Sequence, residues 1–173
     1  MDPKIHRYSF KTSNLSFCIT ATTEGLYALD FGRRNYPRNQ GLPPRHIRLL
    51  FKQTEVFLRA YLAGEKVSFD QLPVDWSGFK KFEKTVLQEL RKIPSGKTEA
   101  YQFLARQARR PKAARYVGKI MGSNRLPIII PCHRIVPKRG GWGGFSRGVQ
   151  WKKWLLKLET RGVDKKSEPN RLV

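Results

Sequence analysis

Pro127-Ile128-Ile129-Ile130-Pro131-Cys132-His133-Arg134-Ile135-Val136 sets a thiol and an imidazole side by side inside an apolar stretch. A cysteine attacks only as its thiolate, and a neighbouring cation or hydrogen-bond donor brings that form within reach, whereas burial alone keeps the thiol protonated. The isoleucine run is expected to be a short core strand that ends where the chemistry begins. Adjacent strand residues point to opposite faces, so Cys132 and His133 could pair directly only at a bend, which Pro131 favours by removing a ladder donor. The plainer reading of the same residues is a core strand whose cysteine is a small hydrophobe.

Upstream of this stretch the pattern is helical. Phe79, Phe82, Val86, Leu87, Leu90 and Ile93 form one stripe, with Ser77 as N-cap and Pro94-Ser95-Gly96 as the stop. Thr98 is expected to cap a short helix carrying Tyr101, Leu104, Ala105 and Ala108, and Pro111 to open another that runs to about Met121. Two short helices joined by a tight turn read as a helix-turn-helix. Between Arg91 and Lys119 stand nine basic residues against the single acid Glu99. Such a run is either a solvated face or a DNA contact, and on this motif DNA contact is favoured. Downstream, Lys138-Arg139-Gly140-Gly141-Trp142-Gly143-Gly144 is a loop suited to close backbone approach. Trp151, Trp154, Leu155 and Leu158 then mark a last amphipathic helix with Glu159 near its end, and the polar tail from Asp164 to Val173 is expected to be disordered.

The first third alternates with period two at Tyr8 and Phe10, Leu15 to Ile19, and Leu26 to Phe31, with a turn at Glu24-Gly25. A Pro- and Gly-bearing loop from Arg33 to Arg45 leads to a helix with apolar residues at 47, 50, 51, 58, 61 and 62, ending near Gly64. The fold expected is α+β: a small strand-rich αβ domain over residues 1–76, a helical, winged-helix-like domain over 77–162, and the tail over 163–173.

The 173 residues hold 35 Lys+Arg and 13 Asp+Glu, a formal charge of +22, which calls for a polyanionic partner. No apolar stretch is long enough to span a bilayer, no segment has the face of an interfacial helix, and Met1-Asp2-Pro3-Lys4 lacks the apolar core of a secretion signal. Nucleic acid is therefore expected, in the cytoplasm, with no membrane association. Cys18 and Cys132 are read as reduced, Cys18 as a strand residue, and no Cys/His spacing suits a metal.

Taken together, these motifs resemble the O6-alkylguanine-DNA alkyltransferases. The likeness covers about residues 79 to 162 and rests on Ala100-Tyr101-Gln102, Pro111-Lys112-Ala113-Ala114-Arg115, Val117-Gly118, Ser123-Asn124, the Pro127 to Val136 stretch, Gly144-Phe145-Ser146, and Trp154-Leu155-Leu156 to Glu159. The first 75 residues match only in style. The resemblance implies a stoichiometric DNA repair protein, monomeric and without cofactor, that moves an alkyl group from guanine O6 irreversibly to Cys132. It further implies that His133 takes the thiol proton through a water, that Glu159 orients the imidazole, that Tyr101 donates to the departing purine at N3, and that Asn124 holds the turn before Cys132. Read alone, Tyr101 is an amphipathic core residue, Asn124 a turn former, and Glu159 a solvated carboxylate set unfavourably near a helix C-terminus.

By the same resemblance the damaged base is flipped from double-stranded DNA approached in the minor groove, and Arg115 fills the vacated stack. Ala113, Ala114, Tyr116, Gly118, Lys119 and Ser123 would line the DNA side, and Met121, Pro127, Pro131, Val136, Phe145 and Ser146 the substrate pocket. Tyr116, Lys119 and Ile120 stand where the family keeps small residues. Arg125 replaces a proline and Arg147 a glycine, both at the expected pocket rim. Two other readings compete. A lesion sensor binds alkylated DNA without chemistry, but the family's non-transferring members commonly carry Trp in place of the cysteine. A Cys-His-Glu thiol hydrolase is disfavoured by the basic surface and the helix pair.

Overall fold

The computed structural model describes residues 4–33, 35–37 and 41–161. The tail from Asp164, expected to be disordered, lies outside them. At the N-terminus the alternating segments form an antiparallel sheet ordered β1 (His6–Lys11), β2 (Ser16–Thr22), β3 (Gly25–Gly32). Its register sets Phe10 opposite Phe17 and Phe17 opposite Phe31, and the rings stack at centroid distances of 5.0 and 5.9 Å. Such aromatic cross-strand pairs fix register as well as burying area. Gly25 is required where β3 begins, because a Cβ there would lie 2.6 Å from Pro73 O. At that approach Leu26 exchanges backbone hydrogen bonds with Pro73 and Asp75, both at 2.9 Å.

Helix α1 (Arg45–Leu62) buries Ile47, Leu50, Phe51, Thr54, Leu58 and Tyr61. This is the periodicity of a helix with one apolar face. Its C-terminal turn carries Tyr61 toward the other end of the chain. Helix α2 (Lys81–Arg91) buries Val86, Leu87 and Leu90, but its cap is Lys80 and not Ser77. The Ser77 N–H is taken by Asp75 Oδ1 at 2.7 Å in a tight turn, while Lys80 N–H donates to Glu83 Oε2 at 2.9 Å. A short acidic side chain that captures the backbone two residues on competes with capping, and here it moves the helix start.

Thr98 does not cap the next helix either. Glu99–Ala100 is a two-residue strand, β4, paired in parallel with β5 (Ile135–Val136) through Glu99 with Ile135 and Ala100 with Val136. Ala100 is therefore extended and becomes the residue before α3 (Tyr101–Gln107). The pairing ties the start of α3 to the chain just after Cys132. Helix α3 closes on Arg109 in the left-handed region (φ 57), with Arg110 N–H returning to Ala105 O at 2.8 Å. A 3₁₀ turn, Pro111–Ala113, then leads into α4 (Ala114–Gly122), giving the expected helix pair.

The isoleucine run departs most from expectation. Residues 127–129 form a turn rather than a strand, and Cys132–Arg134 is a 3₁₀ turn. Ile128 sits at φ 73, a conformation that β-branched residues seldom adopt. The run is apolar because all of it is buried, and burial without alternation does not distinguish a strand from a folded turn. Asn124 supplies what a ladder would have supplied. Its Oδ1 accepts from Leu126 N–H at 3.0 Å and its Nδ2 donates to Ile130 O at 2.7 Å.

Helix α5 (Val149–Arg161) closes the fold, with Trp151, Trp154, Leu155 and Leu158 buried. Trp151 meets Phe31 edge-on at 5.1 Å, and one buried cluster runs from Phe10 to Leu158. The architecture is α+β. Among the described residues no helix is long and apolar enough to cross a membrane.

Candidate active site

Cys132 is 3% exposed and sits at the start of its 3₁₀ turn. Burial pushes its thiol up to about 11, against the opposing pull of the Asn124 amide and the Lys152 charge. Asn124 Nδ2 lies 3.1 Å from the sulfur. His133 is wholly buried, and burial holds its imidazole below the ordinary range, so it is neutral near pH 7. Its Nε2 is 2.7 Å from Glu159 Oε1. A carboxylate can only accept there, so Nε2 carries the proton and Nδ1 is left basic. Nδ1 is buried and makes no hydrogen bond. The resting pair is thus a protonated thiol and a neutral imidazole whose Nδ1 is the acceptor.

Glu159 is the hub. Its side chain is fully buried, and Arg134 clamps it through Nη2 at 2.8 Å and Nε at 3.1 Å. Gly96 N–H donates to Oε2 at 3.0 Å and Tyr61 Oη–H to Oε1 at 2.8 Å. Burial opposes the charge, but the His133 and Arg134 contacts outweigh it and hold the carboxyl well below the usual carboxylate range. The solvated helix-end reading of Glu159 is therefore wrong for this fold. Arg134 had no role assigned from sequence, although a buried arginine requires an acid. Its Nη1 also donates to Ile93 O at 2.6 Å. Tyr61 gave no signal, since it reads as one more apolar position of α1.

Lys152 was also missed. It is fully buried on α5, where its Nζ donates to Ile135 O at 2.5 Å and Gly144 O at 3.5 Å. Burial lowers its pKa to about 8, and Cys132 is the group that opposes the shift. One ammonium thus ties the strand after Cys132 to the loop before Phe145.

Tyr101, half-buried, opens onto a cleft of about 780 Å³ whose walls include Ala114, Arg115, Gly118 and Pro137. Burial, then the Cys132 charge, raises its phenol, which keeps the hydroxyl protonated. The glycine loop closes over it, and a Cβ at Gly143 would meet Tyr101 Oη at 2.9 Å. Phe145 stands edge-on to His133 at 6.4 Å, and Ser146 is exposed beside it. Met121, Pro127 and Pro131 are buried and Val136 half-buried; Pro131 faces a separate cavity of about 380 Å³ with Arg91, Ile128 and Arg134.

On the outer face, Arg106, Arg109, Arg110, Lys112, Arg115 and Lys119 are all exposed, as is Ser123, with Ala113 and Ala114 half-buried between them. Tyr116 is turned to α2, where it stacks on Phe82 at 5.8 Å and donates to Glu83 Oε1 at 2.7 Å. The two arginines expected at the pocket rim face the N-terminal sheet. Arg125 lies between the rings of Tyr27 and Phe79, at 4.0 and 4.4 Å, and donates to Ser77 O. Arg147 pairs with Asp30 and lies over Phe31.

A buried thiol held by Asn124, an imidazole–carboxylate pair beginning at the next residue, and an exposed basic face on the helix pair are the parts of a cysteine-nucleophile site. Residues 81–161 match the family model for the 6-O-methylguanine DNA methyltransferase DNA-binding domain. A methylated-DNA–protein-cysteine methyltransferase of Haemophilus influenzae is 34% identical over 141 residues, 82% of this chain and 78% of that one. One from Shigella flexneri is 44% identical over 102 residues, 59% of each chain, so the chain spans under two thirds of that relative. The crystal structure of Mycobacterium tuberculosis OGT in complex with DNA aligns at a TM-score of 0.76 and 29% identity, covering 92% of this chain and 96% of that one. The chain belongs to the methylated-DNA–protein-cysteine methyltransferase family.

Proposed function

We propose that this protein repairs O6-alkylguanine in double-stranded DNA by taking the alkyl group onto Cys132, once per molecule. The observation that carries the reading is the run of contacts from Asn124 to Cys132 and from His133 to Glu159, beside a cleft that opens on the basic helix pair.

In this reading the cleft receives a base flipped from the duplex, with Arg115 filling the gap and α4 in the minor groove. The basic face contacts backbone rather than base edges, which suits a search for lesions in any sequence. The thiol proton of Cys132 passes to Nδ1 of His133, and Glu159 bears the resulting imidazolium. The sulfur lone pair forms the S–C bond as the C–O6 bond breaks, and that bonding pair stays on guanine. Tyr101 gives its proton to the purine at N3, and solvent exchange returns a proton from the imidazolium side to the phenolate. The thioether has no leaving thiolate, so thiol exchange cannot restore it. Burial holds the resting thiol up at about 11, so it rests protonated and must give up its proton as the S–C bond forms.

Residues 77–162 would carry the transfer and the DNA contact, with 1–76 packed behind them. Two free cysteines fit a reducing, cytoplasmic setting.

The test is intact-mass analysis and peptide mapping after mixing with a duplex bearing one O6-methylguanine. One added methyl on Cys132, stopping at one per protein, is the expected result. Tight lesion binding with unchanged mass would mean a sensor, and turnover beyond one would mean a hydrolase.

A further inference from the structure

Glu159 Oε1 is shared. It receives His133 Nε2 at 2.7 Å from the active turn, and Tyr61 Oη at 2.8 Å from α1, 98 residues away in sequence. Tyr61 is 1% exposed, and its hydroxyl has no other partner in the contacts described. We propose that Tyr61 is a positioning residue for alkyl transfer, through which the N-terminal part of the chain fixes the orientation and basicity of the Glu159–His133 pair. The inference rests on the reading that Cys132 is the alkyl acceptor.

A single oxygen, Glu159 Oε1, governs where the protons of the pair sit. For Nδ1 of His133 to accept the thiol proton, Nε2 must keep its own, and Oε1 must be an acceptor held in the imidazole plane. Arg134 and Gly96 fix the carboxylate from the side of residues 93–96, through Arg134 Nη1 on Ile93 O and Gly96 N–H on Oε2. Neither comes from the side of α1, and Tyr61 does. A third donor on Oε1 also withdraws charge from the atom facing the imidazole, which lowers its basicity and keeps His133 neutral at rest. The groups facing the pair are Tyr61 from α1, Arg134 from the active turn, and Lys152 from α5. Of these, Tyr61 is the neutral group that donates to Oε1. The Tyr61 phenol itself is held far above its ordinary range, by burial and then by the Glu159 charge, so it remains a donor across the working pH range.

A structural role alone would predict that loss of the hydroxyl lowers stability and nothing else. A positioning role predicts that the acid limb of the transfer rate moves. Without the Tyr61 donor Oε1 becomes more basic, the imidazolium is better stabilised, and His133 is protonated, hence useless as a base, at higher pH.

The experiment is single-turnover methyl transfer from an O6-methylguanine duplex between pH 5 and 9, for the full-length chain and Tyr61→Phe, with thermal midpoints measured alongside. Phenylalanine keeps the ring and its core contacts. The expected result is an acid limb displaced to higher pH and a plateau rate about tenfold lower, the size of one net hydrogen bond, because the lost α1 anchor on Glu159 misaligns the imidazole by more than its added basicity returns. An unchanged profile, or a lowered midpoint and rate with the limb in place, overturns the inference. If Tyr61→Phe fails to fold, NMR detection of the Tyr61 hydroxyl proton in the native chain decides it. A Tyr61 hydroxyl proton lacking a hydrogen-bond coupling to Glu159 then overturns the inference. Failure of the underlying reading is distinguishable, because the unaltered chain would then transfer no methyl group at any pH.

Discussion

Asn124 donates to Cys132 Sγ at 3.1 Å while the same nitrogen holds Ile130 O at 2.7 Å, so one carboxamide both builds the active turn and solvates its sulfur. The Leu126 N–H on Oδ1 fixes which end of the amide faces the thiol. Removing it therefore damages two things at once. Asn124→Ala should lower stability by about 1–3 kcal/mol, leaving the buried Leu126 N–H unpaired and Ile130 O with the Cys132 N–H alone, and slow methyl transfer at least about tenfold by raising the thiol further. Asn124→Asp should slow transfer more than Ala, because an anion faces the forming thiolate. Urea melts and single-turnover rates check both, and equal rates for the two variants would remove the electrostatic half of the account.

Lys152 makes a second, pH-dependent prediction. It is the buried cation whose charge helps the Cys132 thiolate, and its own pKa is lowered to about 8. Below that pH the charge is present and the thiolate benefits; above it the ammonium is lost. Lys152→Met should therefore transfer about tenfold slower at pH 7, with the two proteins converging above about pH 9. A ratio that stays constant with pH would mean that Lys152 acts only by tying Ile135 O to Gly144 O.

Much of this was legible in the sequence, and the misses share a cause. Alternation gave β1 to β3, and apolar stripes gave α1, α2 and α5, because each is a one-faced pattern read against solvent. The Ile128–Ile130 run defeated the same logic, since a segment buried on all sides has no face to alternate. The caps at Ser77 and Thr98 were misplaced where other partners, the nearby Asp75 carboxylate and the distant β5, claimed the backbone first. Cys132, His133, Glu159 and Tyr101 were singled out through ordered motifs and the family resemblance, and the fold sets His133 against Glu159. Tyr61 and Lys152 lie outside the active turn and look like ordinary helix positions, so only the fold brings them to the site.

Acid should weaken the fold through Glu159 and His133 together. The folded Glu159 carboxyl sits below its ordinary 4.5, so its stabilisation is present above that pH and lost as pH falls toward the folded value. His133 is lowered from 6.5, so the unfolded chain binds its proton first and stability also declines below that pH. Glu159→Gln strands the buried Arg134 charge and should cost about 3–5 kcal/mol at pH 7.5. The gap between the two proteins should narrow by pH 4. Denaturant melts at several pH values test it, and a gap that widens with acid would reverse the assignment of Glu159 as the charged hub.

Arg115 lies on the cleft wall and is exposed, and among the described residues it makes no hydrogen bond or ion pair that would make it structural. If it fills the stack left by a flipped base, its loss should matter only where there is a stack to fill. Arg115→Ala should slow repair of a duplex by about one to two orders of magnitude, the scale of a few kcal/mol of extrusion, and leave reaction with free O6-methylguanine base nearly unchanged. Equal losses on both would place the residue in the chemistry instead. Lys112→Ala and Lys119→Ala offer the contrast, as exposed cations on the same face without a place in the cleft wall. Each should weaken duplex binding evenly across sequences and reduce the log-log salt slope by about one, from about −5 to −7 for roughly six to eight engaged phosphates. A salt slope near zero for the unaltered chain would remove the helix pair as the DNA contact, and the finger role of Arg115 with it.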